Sequence, residues 1–196
     1  MDDNIIICNV TEKDLAEIAK VHYAELPDDF CSLLGCKFLK NTFYPHLLSN
    51  KWSIGFCAKK NSELIGYIFF VKDEDYLTDI FKSNFFVFVY QMIKNCYKLY
   101  FLKYVFEIFL LLFIRNKSEI EKDFELGYIA VHSNHHNKGI GTMLLEHGIS
   151  ELRKMNTTYC WVKTLSVTPE TIHFYKKANF KIYNEVLGRT YLFKEF

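Results

Sequence analysis

Apolar and polar residues follow one another in blocks along this chain, and the spacing inside each block predicts its secondary structure. Short apolar runs bounded by polar residues or glycine predict strands at residues 5–10, 54–58, 64–71, 126–131, 159–165 and 191–196. The polar segment 59–63 separates two of these runs, which predicts a hairpin. The pattern therefore predicts six strands with helical segments between them.

Two helical patterns precede the hairpin. Thr11 is the predicted N-cap of the first, because acidic residues occupy the turn that follows it. The helical spacing of this segment is carried by Leu15, Ile18, Ala19 and His22. The second pattern covers about residues 31–39 and extends toward residue 48, with an interruption at Pro45, which has no backbone N–H to donate.

Residues 73–122 form an insertion between the hairpin and the strand at residues 126–131. Apolar residues recur at helical spacing over residues 81–93 and 99–113, which predicts two aromatic-rich helices. Charged residues interrupt the region, and the apolar run at residues 108–114 is far shorter than the roughly 20 residues of a membrane span. We interpret the insertion as a helical hairpin packed on the sheet, with a cap over the substrate, a homodimer surface and an in-plane membrane contact through residues 81–114 as alternatives.

Composition is consistent with one cytoplasmic domain over residues 1–196. Half of the 196 residues are hydrophobic, which is enough for a large buried core, and the formal net charge of +1 without a basic block predicts no nucleic-acid partner. The cysteines are scattered without a Cys-x-x-Cys pair, which favours reduced thiols. The acidic N-terminus leads into an apolar run, residues 5–8, that is too short for a signal peptide.

The segment 126–145 carries the clearest chemical signal, because a strand, a glycine-containing loop and a helix follow one another there. Gly139 and Gly141 lack a Cβ atom, so the backbone can approach a ligand closely. The unpaired N–H groups that open the next helix point toward an anion, and a diphosphate fits such a loop. His132, His135 and His136 crowd the loop, but no carboxylate lies at ligand spacing, so we predict no metal site.

A second motif, Phe174-Tyr175-Lys176-Lys177-Ala178-Asn179-Phe180, follows about thirty residues later. Together with His136-Asn137-Lys138-Gly139-Ile140-Gly141 it resembles the GCN5-related N-acetyltransferases, whose loop reads Gln/Arg-x-x-Gly-x-Gly/Ala and whose C-terminal part often reads Phe-Tyr-x-x-x-Gly-Phe. His136 replaces the usual Gln or Arg, and most anion contacts in such a loop come from backbone N–H groups. Asn179 replaces a glycine, and asparagine tolerates a positive φ better than other non-glycine residues.

This resemblance implies an α/β (α+β) fold with a mixed, mostly antiparallel sheet of six to seven strands flanked by helices. It also implies acetyl-CoA as cofactor and direct transfer of its acetyl group to an amine in a ternary complex. The expected coenzyme A contacts are Ile129, Ala130, Val131, His136, Asn137, Lys138, Gly139, Ile140, Gly141, Thr142 and Thr168. Residues 129–131 are expected to pair with the pantetheine amides through main-chain groups and to polarise the carbonyl.

Acetyl transfer needs a neutral amine, stabilisation of the carbonyl oxygen and a proton for the departing thiolate. By the family motif, Tyr175 is the candidate general acid, with a core aromatic as the alternative interpretation. Glu125, at the start of the cofactor strand, is the first candidate base, or else a solvated strand end. His22 is the second candidate base, or else a structural histidine.

Residues 22–39 are also similar to a bacterial subgroup of this family that carries a long helical insertion, which favours an amino sugar or another small primary amine as acceptor. Relatives that acetylate ribosomal protein N-termini have a glutamate where this chain has Lys163, and an asparagine where it has Thr168. Both differences disfavour a protein N-terminus. The alternatives are acetylation of a protein or peptide, and a non-catalytic acyl-CoA sensor or assembly module.

Overall fold

The computed structural model describes residues 4–72, 76–95 and 123–196. Its strands are β1 (Ile5–Asn9), β2 (Ser53–Lys60), β3 (Glu63–Val71), β4 (Phe124–Val131), β5 (Tyr159–Leu165), β6 (Lys181–Val186) and β7 (Arg189–Glu195). Its helices are α1 (Leu15–Glu25), α2 (Phe30–Leu33), α3 (Cys36–Phe38), α4 (Tyr44–Ser49), α5 (Tyr76–Ser83), α6 (Phe85–Asn95), α7 (Ile140–Lys154) and α8 (Pro169–Lys177). Within these ranges, every helix is too short or too polar to cross a membrane.

One seven-stranded sheet, ordered β1-β2-β3-β4-β5-β7-β6, organises the fold. All neighbouring strands are antiparallel except β4 and β5, which are parallel and are joined by the crossover helix α7. The parallel ladder pairs Phe124 with Cys160 and ends where Leu126 pairs with Val162. Beyond this point β4 and β5 diverge, so the sheet opens into a wedge, which we call the splay. The predicted fold class is confirmed.

A β-bulge interrupts β4 at the point where the splay begins. Phe69 of β3 pairs with Tyr128, whereas Phe70 pairs with Leu126, so Gly127 is the extra residue. Strict alternation would place Glu125 and Tyr128 on opposite faces of the sheet. Because of the bulge, Tyr128 joins the cluster that contains α1, on the face of the sheet toward which Glu125 also points.

Helices cover both faces of the sheet and bury two separate apolar clusters. The first lies between the sheet and helices α1 to α5 and is rich in aromatic side chains from β3, such as Tyr67 and Phe69. The second lies between the opposite face and helices α7 and α8, and it includes Phe70, Leu144 and Tyr175. The α1 face and the α7 face of the splay are therefore lined by different parts of the chain.

The sequence predicted six of the seven strands and missed β6. The exposed or half-buried residues of Lys181–Val186 form an edge strand, so they lack the apolar run that identified the others. Pro45 stands in the first turn of α4, directly after a π-helix at Leu39–Phe43, so the helical segment changes its hydrogen-bonding pattern just before the proline. The helix predicted at residues 81–93 is divided between α5 and α6, and the one predicted at 99–113 lies outside the described residues.

Candidate active site

The glycine loop presents a set of backbone donors at the start of α7. Gly139 is the N-cap of this helix and has a left-handed backbone, with φ of 77°. The first hydrogen bond of the helix runs from Met143 N–H to the carbonyl oxygen of Gly139, at 3.0 Å. The N–H groups of Ile140, Gly141 and Thr142 precede this bond, so the helix itself supplies them with no acceptor. A Cβ atom on Gly139 would meet nothing within 4 Å, so the loop leaves room for a diphosphate.

The loop is fixed by hydrogen bonds that leave those donors untouched. His136 Nε2 lies 2.6 Å from the carbonyl oxygen of Val131, and it also lies 3.5 Å from Glu25 Oε2. Ser133 N–H donates to the other oxygen of the same glutamate at 2.7 Å, so the end of α1 supports the loop. Lys138 Nζ donates to the carbonyl oxygen of Asn134 at 2.8 Å. Asn137 is a second left-handed position, with φ of 59°, which the sequence analysis did not identify.

Strand β4 provides an unpaired edge on the splay. Its ladder with β5 ends at Leu126, so within the described residues no strand pairs with that edge from Gly127 to Val131. An extended ligand with amide groups can add to such an edge through main-chain hydrogen bonds. The predicted contacts Ile129, Ala130 and Val131 lie on this segment.

Helix α8 brings Tyr175 to the α7 face of the sheet. The neighbouring Phe174 ring lies 3.7 Å from the Cβ position of Gly141, which links α8 to the glycine loop. Tyr175 is 4% exposed and packs against Phe174 and Phe180. Burial raises the pKa of Tyr175 well above its ordinary value, so the phenol keeps its proton at neutral pH.

Two other residues that the motif singled out lie at the ends of α8. Thr168 is the N-cap residue; its hydroxyl donates to the carbonyl oxygen of Leu165 at 2.7 Å and lies 3.5 Å from the hydroxyl of Thr164, from which it can accept. Asn179 follows the helix with φ of 64°, the left-handed conformation that glycine has in the family motif.

Glu125 lies at the base of the splay and is half-buried. Its Oε1 atom is 3.6 Å from Nζ of Lys163 on β5, and its neighbour across the parallel ladder is Trp161. The carboxylate therefore stands next to a cation and close to the open part of β4. It can accept a proton there, directly or through water.

His22 is fully buried on the α1 face and has no surface open to a ligand. Its Nδ1 atom lies 2.5 Å from the hydroxyl of Tyr44 and 3.0 Å from that of Tyr67, and its Nε2 atom lies 3.1 Å from Asp29 Oδ2. The hydroxyl of Tyr44 also donates to that of Tyr67 at 2.8 Å. These contacts account for the polar atoms of the ring, so the structure gives His22 the role of a satisfied buried histidine and does not bring it to the splay.

Sequence reasoning missed two hydroxyl groups that lie beside the bulge. Tyr128 is on β4 and Tyr76 is the first residue of α5, and both side chains are buried. The hydroxyl of Tyr76 lies 3.5 Å from the Cβ position of Gly127. Only the register shift in β4 places Tyr128 here, and a shift of that kind leaves no periodic signal in one sequence.

The three histidines of the loop do not form a metal site. Nε2 of His136 is engaged by Val131 and Glu25, and Nδ1 of His132 accepts the N–H of Asn134 at 3.3 Å. Across the described parts of the chain, no group of three histidine, cysteine, aspartate or glutamate residues could hold a metal ion.

Solved structures with the same fold include N-acetyltransferases, one of them in complex with coenzyme A. The PaiA N-acetyltransferase of Thermoplasma acidophilum, in complex with coenzyme A, is 14% identical over 98% of this chain and 99% of that chain, with a TM-score of 0.63. The ribosomal-protein-S18-alanine N-acetyltransferase of Escherichia coli is 14% identical over 97% of this chain and 91% of that chain, with a TM-score of 0.60. At this identity the similarity shows the fold. The comparison with curated proteins finds no match.

Residues 23–180 match the sequence profile of the acetyltransferase (GNAT) family. The matched segment covers most of the chain and includes the glycine loop, the open edge of β4 and the helix that carries Tyr175. The resemblance drawn from the two motifs is confirmed, and this chain belongs to the GNAT family of acetyltransferases, which use acetyl-CoA.

Proposed function

We propose that this enzyme transfers the acetyl group of acetyl-CoA directly to the primary amine of a small molecule such as an amino sugar. The observation that carries the proposal is the splay. It has the backbone donors of the glycine loop on one side of the sheet and a half-buried carboxylate, Glu125, on the other. A donor and an acceptor can therefore approach the same point of β4 from opposite faces.

The glycine loop is the site for the diphosphate of coenzyme A. The N–H groups of Ile140, Gly141 and Thr142 precede the first hydrogen bond of α7, and the positive end of the helix dipole adds to their attraction for an anion. Open space next to Gly139 lets the phosphates approach the backbone. When bound, acetyl-CoA supplies an activated thioester.

The edge of β4 from Gly127 onward is the site for the pantetheine arm. Its main-chain groups have no partner strand on the splay side within the described residues, so amides of the ligand can extend the sheet. A backbone N–H at this edge stabilises the negative charge that develops on the acetyl carbonyl oxygen.

Tyr175 is the proposed general acid. Its side chain lies on the α7 face of the sheet, next to the Phe174 ring that contacts Gly141, and burial raises its pKa. A phenol that holds its proton in a site of low dielectric can give that proton to a thiolate, because the thiolate is also destabilised there.

Glu125 is the proposed base for the acceptor amine. An amine must lose its proton before it can attack, and a carboxylate at the base of the splay can take that proton. Lys163, whose Nζ atom lies 3.6 Å from Oε1 of Glu125, is the cation with which an incoming ammonium group would compete for this carboxylate. His22 is left out of the proton transfer because it is fully buried and already hydrogen-bonded.

Thiol release from acetyl-CoA, measured with a panel of amines and with mass detection of products, tests the proposal. The panel holds glucosamine, ethanolamine, spermidine and a hexapeptide with a free N-terminus. Acetylation of a small amine in preference to the peptide is expected. Preference for the peptide would favour the protein acceptor, and acetyl-CoA binding without consumption of any amine would favour the sensor.

A further inference from the structure

The last turn of α1 is fixed by a buried hydrogen-bond network. The ring of His22, in this turn, is hydrogen-bonded to the side chains of Tyr44, Tyr67 and Asp29. Glu25 ends the same helix, three residues later. Since the backbone of a helical turn is rigid, the network also fixes the position from which the side chain of Glu25 extends.

The carboxylate of Glu25 contacts the beginning of the glycine loop with both of its oxygens. Oε1 accepts the N–H of Ser133 at 2.7 Å, and Oε2 lies 3.5 Å from Nε2 of His136. The same nitrogen lies 2.6 Å from the carbonyl oxygen of Val131. Because a carbonyl oxygen can only accept, Nε2 carries a proton and faces two acceptors. Glu25, whose side chain is only 13% exposed, therefore connects both Ser133 and His136 to α1.

These contacts orient the backbone that leads into α7. His136 stands three positions before Gly139, which has φ of 77° and begins the helix as its N-cap. Lys138 adds a contact within the loop, because its Nζ donates to the carbonyl oxygen of Asn134 at 2.8 Å. Backbone donors bind an anion best when they are already in place, since otherwise binding must order the loop at a cost in conformational entropy.

We propose that Glu25 is a positioning residue for coenzyme A, which holds the loop so that the N–H groups at the start of α7 point at the diphosphate. This inference rests on the part of the proposed function that places the diphosphate at the glycine loop. Two effects of the carboxylate have opposite signs. A negative charge near an anion site repels the anion, so the charge alone predicts that removing Glu25 would tighten coenzyme A binding. Positioning predicts weaker binding.

Calorimetric titration with coenzyme A measures this sign. Glu25→Ala removes both contacts, and we expect Kd to rise at least about tenfold, the effect of losing one hydrogen bond to a charged group. Glu25→Gln keeps an oxygen for the N–H of Ser133 but loses the charge that faces His136, so its Kd should lie between those of wild type and Glu25→Ala. Glu17→Gln is the matched control: it removes a carboxylate from the same helix, where the side chain is 54% exposed, and should leave Kd unchanged.

Acetyl-pantetheine separates positioning from a general loss of structure. This shortened donor has the thioester and the amides of acetyl-CoA but lacks the diphosphate. With the best amine of the panel, kcat/KM for acetyl-CoA should fall about tenfold in Glu25→Ala, whereas kcat/KM for acetyl-pantetheine should stay the same. Thermal melting of each variant checks that it remains folded.

The possible results separate this inference from the proposed function. An equal or tighter Kd for coenzyme A in Glu25→Ala would overturn the inference and leave the proposed function intact. Parallel losses with acetyl-CoA and acetyl-pantetheine would also overturn it, because Glu25 would then serve the fold alone. A wild-type protein that does not bind coenzyme A would refute the placement of the diphosphate and the role of Glu25 with it. Binding without consumption of any amine would refute acetyl transfer, while the calorimetric test would still decide the role of Glu25.

Discussion

Replacing Gly148 by alanine should destabilise the enzyme, although the same change elsewhere in α7 should not. Gly148 is on the buried face of this helix, and a Cβ atom there would lie 2.7 Å from Cζ of Phe70 and closer still to Cε2. Two carbon atoms that are not bonded to each other need a separation of at least about 3.4 Å. Phe70 is fully buried on β3, so its ring has no free space to enter.

The expected magnitude follows from two opposing terms. Alanine stabilises a helix by about 1 kcal/mol relative to glycine. Overpacking a dense core costs about 1–3 kcal/mol, and an overlap with a ring that cannot move puts Gly148→Ala near the upper end. The net effect should be a loss of about 2 kcal/mol in the free energy of unfolding.

Gly141→Ala is the matched control, because it makes the same change in the same helix. Its Cβ atom would lie 3.7 Å from Phe174, an ordinary contact, so the variant should gain up to about 1 kcal/mol. Urea unfolding followed by circular dichroism measures the stability of both variants, whose midpoints are compared where the slopes of free energy against urea concentration are equal. A double variant with Phe70→Leu, which leaves room for the new methyl group, should recover much of the loss, and this coupling can be read from the thermodynamic cycle.

The reasoning would be wrong if Gly148→Ala were as stable as Gly141→Ala, or if Phe70→Leu failed to compensate it. The result also bears on function. Phe70 and Gly148 set the distance between β3 and α7, and the first turn of α7 carries the N–H groups that we propose bind the diphosphate. Gly148→Ala should therefore also weaken coenzyme A binding by calorimetry, without touching the loop.

Three further predictions concern charge and proton transfer. Gly139→Asp should abolish coenzyme A binding in calorimetry, because it puts a carboxylate beside the diphosphate. The control Gly139→Ala should show only the backbone strain of about 1–2 kcal/mol. Equal affinities for wild type and Gly139→Asp would contradict the loop assignment. Tyr175→Phe should lower kcat about a hundredfold with an unchanged Kd for acetyl-CoA, and an unchanged kcat would exclude the acid role. Burial opposes ionisation of Asp14, but hydrogen bonds from Lys59 and Thr11 outweigh it and lower its pKa. The stabilisation by ionised Asp14 is therefore full above the unfolded pKa of about 4 and is lost as the pH falls through the lower folded value. Asp14→Asn should be less stable than wild type in urea unfolding at pH 6, and this difference should disappear in strong acid. A difference that persists in strong acid would contradict the role of Asp14.

The geometry of the glycine loop could be predicted from sequence because it depends on local properties of the backbone. Gly139 must adopt a positive φ, and the helix that follows must expose its first N–H groups, and both requirements are visible in one short stretch of residues. Strands β1 to β5 and β7 could also be predicted from sequence, because their apolar runs reflect burial. Edge strand β6 lacks such a run and was missed for that reason.

The acceptor side could not be predicted in the same way, because it depends on tertiary geometry. His22 shows this: a histidine at helical spacing was a reasonable candidate base, but Tyr44, Tyr67 and Asp29 surround it only in the folded chain. Tyr128 shows the converse. Its position on the α1 face depends on one extra residue in β4, and nothing in its spacing from Glu125 indicates that the two share a face.

The bulge at Gly127 is the feature on which both halves of the proposed reaction depend. It coincides with the end of the β4–β5 ladder, so the edge that would receive the pantetheine arm begins where the alternation of β4 changes. Without the extra residue, Tyr128 would face α7. The same irregularity thus marks the start of the free main-chain edge and places Tyr128 on the face of the sheet that carries Glu125. In the proposed reaction the donor and the acceptor would meet at this residue, which has no side chain to separate them.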